Sequence, residues 1–197
     1  IKPKRDDIKS VFAGLRPLAV TSDKKSTKEV SRSHKIDVSP SGLISVLGGK
    51  WTTYRKIAED AIDAAISINK LKKKKCRTEK TKLFGYKKNI DWSDHMHVYG
   101  SLKKKVESLG GKEDNKSLSS KFYISNNMIK WSIIHEMAIT LEDILARRTR
   151  CVFLDSNESK RIAPGVAKKM AEILEKDQVW IDSELKNFNK LIKNYTV

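Results

Sequence analysis

The chain has 197 residues, 39% hydrophobic and 7% aromatic, enough apolar material for a core and a length that suits one domain or two small ones, which excludes a disordered or fibrous protein. No run approaches the ~20 apolar residues that cross a bilayer, and the charged opening Ile1 to Asp7 has no apolar stretch behind it, so neither a spanning helix nor a signal peptide is expected and the chain reads as soluble. The net charge is +17 from 32 Lys and only 9 Arg, and Arg is the side chain that reads guanine edges and phosphates bidentately, so base-specific nucleic-acid recognition is not expected. Lys70 to Lys88 holds ten basic residues against one acid, so the excess is mostly one segment. Cys76 and Cys151 lie far apart, which excludes a disulfide scaffold and a cysteine-based zinc site and suits a reducing, cytosolic setting. The opening without Met suggests a piece of a longer chain.

Residues 1–69 read as strands followed by one helix. Ile8 to Val20 is rich in β-branched and apolar residues, Lys35 to Val38 alternates, and Leu43 to Leu47 is an apolar run between Gly42 and the pair Gly48-Gly49; all three read as buried strands. A helix is expected from about Thr52, with Ile57, Ala58, Ala61, Ile62, Ala65 and Ile66 on a stripe and Thr52 or Thr53 as N-cap. Lys70 to Asn89 lacks apolar periodicity and reads as an exposed linker or frayed helix end. Beyond it the period is helical: Leu102, Val106 and Leu109 end at Gly110-Gly111. Ile133, Ile134, Met137, Ala138, Leu141, Ile144 and Leu145 share one face; Val166, Met170, Ile173 and Leu174 share another; and a last helix carries Ile181, Leu185, Phe188, Ile192 and Tyr195. The expected class is α+β: a β-rich segment, a Lys-rich linker over 70–90, and an all-α domain over 91–197.

Ser41 to Lys56 reads as a strand, a glycine pair and a helix N-terminus in succession. Gly48 and Gly49 let the backbone approach a ligand, the unpaired N–H groups of the first turn favour negative charge, and Lys50 adds a mobile cation. Such a turn could hold a phosphate, a carboxylate or the N1–C2=O edge of a reduced flavin; it could also be a tight turn with Lys50 in solvent.

Four motifs, AGLRPL (Ala13 to Leu18), SRSH (Ser31 to His34), GGKWTTYRKIAED (Gly48 to Asp60) and LARRTRCVFLD (Leu145 to Asp155), together resemble the FAD-dependent glycerol-3-phosphate dehydrogenases, and the resemblance covers nearly the whole chain. It implies that residues 1–69 close an FAD- and substrate-binding domain and that the region from about Asp91 is a helical C-terminal cap. It implies a GxGxxG nucleotide-binding segment outside these 197 residues. Carried over by position, Arg16 and Arg32 look like arginines of the substrate pocket, where guanidinium forks bind the phosphate of glycerol 3-phosphate. Lys50 looks like the lysine near flavin and substrate, so Arg16 and Lys50 are the candidate catalytic residues. Gly49, Trp51, Thr52 and Thr53, with Gly48, match the turn that meets the flavin. The family usually has an acid after the second arginine; this chain has Ser33, so Arg32 lacks that orienting carboxylate.

The resemblance implies oxidation of sn-glycerol 3-phosphate to dihydroxyacetone phosphate, with hydride passing to FAD, electrons to a membrane quinone, and a general base outside these residues. The alternatives are an oxidase that hands electrons to oxygen, or a basic helical module whose lysine run meets anionic lipid or nucleic acid. The expected location is cytoplasmic, or peripheral on the cytoplasmic membrane. Several features are set aside. His135-Glu136 has Ile139 where HExxH needs its second His, His95 and His97 read as solvent-exposed with no third metal ligand in view, and Arg147, Arg148 and Arg150 follow Glu142 and Asp143 as scaffold ion-pairing partners. Trp131 and Trp180 read as core.

Overall fold

The computed structural model describes residues 2–15 and 34–196. Arg16, Arg32 and the 16–20 end of the expected first strand lie outside them. The chain forms two compact units, Gly14–Leu83 and Ile1–Ala13 with Phe84–Val197. This grouping differs from a division at 69 and 91: most of the lysine-rich segment stays with the smaller unit, and the N-terminal residues join the helices.

In the smaller unit, β1 (His34–Val38) and β2 (Ile44–Gly48) pair antiparallel, with His34 opposite Gly48 and Val38 opposite Ile44. Ser39 closes the hairpin: its N–H donates to the Leu43 carbonyl at 3.0 Å and its hydroxyl accepts the Leu43 N–H at 3.1 Å. The strands fall where the alternation places them, but they are not buried. Val38, Val46 and Leu47 are exposed, because two strands and one helix cannot cover both faces of a hairpin. A 3₁₀ turn, Trp51–Thr53, leads into α1 (Tyr54–Ile68). Thr53 occupies the cap position without capping through its side chain; its hydroxyl instead donates to the Lys50 carbonyl at 3.0 Å. The chain from Leu71 to Leu83 contains no helix or strand and is almost wholly exposed.

The larger unit contains α2 (Lys103–Glu107), α3 (Asn126–Glu136), α4 (Cys151–Leu154), α5 (Ser156–Leu174) and α6 (Gln178–Ile192). Its core gathers Ile124, Ile129, Leu141, Ile144, Leu145, Val166, Met170, Phe188 and Ile192, with Ile173, Leu174, Trp180, Ile181, Leu185 and Tyr195 partly buried against it. Trp131 is buried in a second cluster with Met96, Val106 and Met128. The long helices start on capping carboxylates: Asp155 accepts the Glu158 N–H at 2.8 Å and Asp177 the Trp180 N–H at 2.9 Å.

Two expectations are corrected here. Ile8 to Leu15 forms no strand: Lys9 offers its carbonyl to the Ser156 N–H and hydroxyl, both at 3.0 Å, and Val11 donates to the Tyr195 carbonyl. Phe12 meets Phe153 edge-on at 5.1 Å. The apolar residues of this segment therefore attach an extended chain to the helical unit. Nor do Ile133 to Leu145 lie on one helix face. α3 stops at Met137, whose φ is 58°, and a new start is built by Thr140 and Asp143: the carboxylate of Asp143 accepts the Ile139 and Thr140 N–H groups at 3.1 and 3.0 Å, while the Thr140 hydroxyl accepts the Asp143 N–H at 3.1 Å. The following turn, Asp143–Arg148, is π-helical, with the Thr149 N–H reaching the Ile144 carbonyl. Hence Ile134 and Met137 are exposed while Ala138, Leu141, Ile144 and Leu145 are fully buried.

Candidate functional site

β2 delivers the chain directly into the turn. Gly48 and Gly49 have φ of 72° and 88°, a region where a Cβ is strained. A Cβ on Gly49 would also stand 2.7 Å from Ile57 Cδ1 and 3.3 Å from His34 Cβ, so the backbone of the turn lies directly against α1 and β1. Lys50 then starts the 3₁₀ turn: its carbonyl accepts both the Thr53 N–H and the Thr53 hydroxyl at 3.0 Å, and its side chain is exposed.

Trp51 is 86% exposed and stacks on Tyr54 with ring centroids 5.6 Å apart. An aromatic shelf beside a glycine turn, a lysine and the exposed Thr52 fits a flat, anionic ring system better than it fits plain solvent. Gly48, Gly49, Lys50, Trp51, Thr52 and Thr53 are consecutive on one short segment; Thr53 spends its N–H and its hydroxyl on the Lys50 carbonyl, so the Lys50 ammonium, the Thr52 hydroxyl and the Trp51 face are the groups of the turn that suit a flat, anionic ring such as that of FAD.

Behind the turn lies a group that sequence reading passes over. The His34 Nε2–H donates to Asp60 Oδ2 at 2.9 Å, and Lys56 Nζ donates to Asp60 Oδ1 at 2.8 Å. The Lys56 ammonium first, and His34 second, hold the Asp60 carboxyl below the ordinary carboxylate range against the cost of burial. His34 closes the SRSH motif and Asp60 closes GGKWTTYRKIAED, so the signal was present, but 26 residues separate the two partners.

In the LARRTR motif, two of the three arginines make ion pairs or hydrogen bonds within the helical unit. Arg147 pairs with Asp143 at 2.8 Å and Glu142 at 2.6 Å, and Arg148 donates to the Glu136 carbonyl. Arg150 adopts a left-handed backbone, φ 59°, and lines a cavity of about 370 Å³ with His95, Tyr99 and Tyr123. His95 is exposed and stacks on Tyr123, whereas His97 is half-buried, its ring nitrogen 2.8 Å from the Asp94 carbonyl. Among the described residues no group of three or more metal-ligating side chains converges, and no helix is long and apolar enough to cross a membrane.

Residues 44–179 match the family model for the C-terminal domain of alpha-glycerophosphate oxidase. Among curated proteins, the mitochondrial glycerol-3-phosphate dehydrogenase of Mesocricetus auratus is 31% identical over 98% of this chain and 29% of its own length. The mitochondrial enzyme of that name from Arabidopsis thaliana is 32% identical over 94% of the chain and 34% of its own length. The one from Homo sapiens is 30% identical over 98% and 29%. The chain thus spans about a third of the length of these relatives. Because they are named as mitochondrial, they overturn the expected cytoplasmic location. With the glycine turn and α1 inside the matched span, the chain belongs to the family of the C-terminal domain of alpha-glycerophosphate oxidase.

Proposed function

We propose that this chain is the C-terminal portion of a mitochondrial flavoprotein that oxidises sn-glycerol 3-phosphate to dihydroxyacetone phosphate and passes electrons to a membrane quinone. The smaller unit is read as the end of the FAD- and substrate-binding domain and the helical unit as a cap. The observation that carries this reading is the strand, glycine pair, lysine and helix start at Gly48–Tyr54, lying in the segment that matches the family.

When bound, FAD supplies the two-electron acceptance that converts the C2 alcohol to a ketone. This chain supplies binding and electrostatics. The Lys50 ammonium is assigned to the charge that develops on the C2 oxygen as its proton leaves, and the backbone of Gly49 lets the turn approach a ring without a side chain between them. The stacked Trp51 and Tyr54 offer a flat apolar face beside the turn. Arg16 and Arg32, which lie outside the described residues, are assigned to the phosphate, whose oxygens match a guanidinium fork. The lysine-rich 70–88 segment suits peripheral attachment to an anionic membrane surface.

The test is the full-length protein, purified and supplied with glycerol 3-phosphate and a soluble quinone analogue, with oxygen uptake followed in parallel. The reading expects stoichiometric flavin and substrate-dependent reduction of the quinone. Peroxide formation at the same rate would replace the quinone with oxygen, and absence of both flavin and turnover would overturn the reading.

A further inference from the structure

We propose that His34 and Asp60 are positioning residues, a clamp that fixes the Gly48–Gly49 turn against α1 and thereby sets where Lys50 stands. The proposal rests on the reading of that turn as the element that faces flavin and substrate.

Two consecutive glycines at φ 72° and 88° have no side chains with which to anchor themselves, so the direction of the chain through them is set by what packs against them. The described structure provides two such neighbours for Gly49, Ile57 from α1 and His34 from β1. Ile57 is an apolar contact with no directional preference. His34 is different in kind: its Cβ lies against the turn, it stands opposite Gly48 in the strand register, and its ring nitrogen is tied to Asp60 in the second turn of α1 at 2.9 Å. One residue therefore touches the strand pair, the glycine turn and the helix together.

The pair is built to hold. Both oxygens of Asp60 are used, one by His34 and one by Lys56, and Glu59, also beside Lys56 at 3.9 Å, is taken up by Arg55 at 2.8 Å. The His34 and Asp60 side chains are only 20% and 30% exposed, so their bond is partly shielded from water. On the far side of the glycines, the Lys50 carbonyl is pinned by Thr53. Lys50 is thus suspended between two anchors, the start of the helix and the His34 clamp. Releasing one lets the lysine drift, and misplacing a charged group by about 1 Å costs on the order of tenfold to a hundredfold in rate.

The experiment uses the full-length enzyme with His34→Ala, His34→Gln, Asp60→Ala, the double alanine variant, and Lys35→Ala as control. Glutamine places an amide N–H near the Nε2 position. The expected result is a fall in kcat of about tenfold or more for His34→Ala and Asp60→Ala, with KM for glycerol 3-phosphate within about twofold of wild type. The double variant should be no worse than either single variant. His34→Gln should recover most of the rate, and Lys35→Ala, an exposed neighbour on the same strand, should leave it unchanged. Hydrogen exchange at the amides of residues 48–53 gives a readout that needs neither substrate nor flavin, and it should accelerate about tenfold in His34→Ala. Wild-type kcat with wild-type exchange in His34→Ala overturns the clamp, as does a glutamine variant no better than alanine. A wild-type enzyme without turnover, but with exchange that accelerates in His34→Ala, overturns the functional reading and leaves a clamp of the turn alone.

Discussion

Gly49→Ala tests the geometry on which the site depends. At φ 88° an alanine gives up about 1–2 kcal/mol through the clash of its Cβ with the backbone. The new methyl would also stand 2.7 Å from Ile57 Cδ1 and 3.3 Å from His34 Cβ. The isoleucine tip can turn aside, whereas the His34 Cβ is fixed to a strand backbone and yields only if the hairpin shifts, an overpacking cost of about 1–2 kcal/mol more. A total near 3 kcal/mol, with a urea slope of about 2 kcal/mol per molar, moves the unfolding midpoint of the smaller unit down by about 1.5 M. Gly165→Ala is the control. It lies inside α5 with no heavy atom within 4 Å of the added carbon, so helix propensity alone should stabilise it by about 0.5–1 kcal/mol. Urea denaturation of the full-length protein, followed by hydrogen exchange to separate the two units, reads both changes. An unchanged midpoint for Gly49→Ala would refute the left-handed turn and the packing of His34 against it.

Lys50→Ala should lower kcat/KM by about a hundredfold or more while the melting temperature stays put, since the side chain is exposed and its developing-charge partner is in the reaction; an equal loss of thermal stability would make Lys50 a structural residue. Leu145→Ala removes a fully buried side chain and should cost about 3–4 kcal/mol, whereas Met137→Ala, 84% exposed, should stay within about 0.5 kcal/mol; equal losses would restore the unbroken helix. Glu158 is held at about 2 by the Arg161 guanidinium and the Ser119 hydroxyl. Its folded value lies below its unfolded one, so its contribution is whole above pH 4.5 and is lost as pH falls toward 2. Melting temperatures between pH 5 and 2.5 should therefore fall more steeply for wild type than for Glu158→Gln, and parallel curves would refute the pairing.

Where local pattern and tertiary packing agree, the elements were legible. The stripe from Ile57 to Ile66 marks α1, and Val166, Met170, Phe188 and Ile192 mark the buried faces of α5 and α6. Periodicity failed at Met137 because apolar residues before and after a break can keep the same spacing while the backbone between them turns. The break had its own signal, the capping sequence Thr140-Leu141-Glu142-Asp143. Composition failed at Ile8 to Leu15, where β-forming residues serve a single extended strap whose carbonyls and N–H groups go to Ser156 and Tyr195. It failed again on burial in β1 and β2, because alternation says which residues share a face and not whether anything covers it.

At the site, the glycine turn was legible because its whole geometry is local: a strand end, two residues that tolerate positive φ, and a helix start lie within eight positions, Leu47 to Tyr54. The His34–Asp60 bond was not, since it exists only once the hairpin has folded back on α1. The stripe on α1 carries the same lesson one step further. It is two rows wide. Ile57 lies on one flank and meets the glycine turn, while Tyr54, Ala58, Ile62 and Ile66 line a groove of about 600 Å³, with Ile62 61% exposed. A helix that served only this hairpin would need the first row alone. The second row faces the segment that follows the helix, whose Lys74, Cys76, Thr78 and Leu83 line the other side of that groove, so one fifteen-residue helix carries both the glycine turn and the return of the chain.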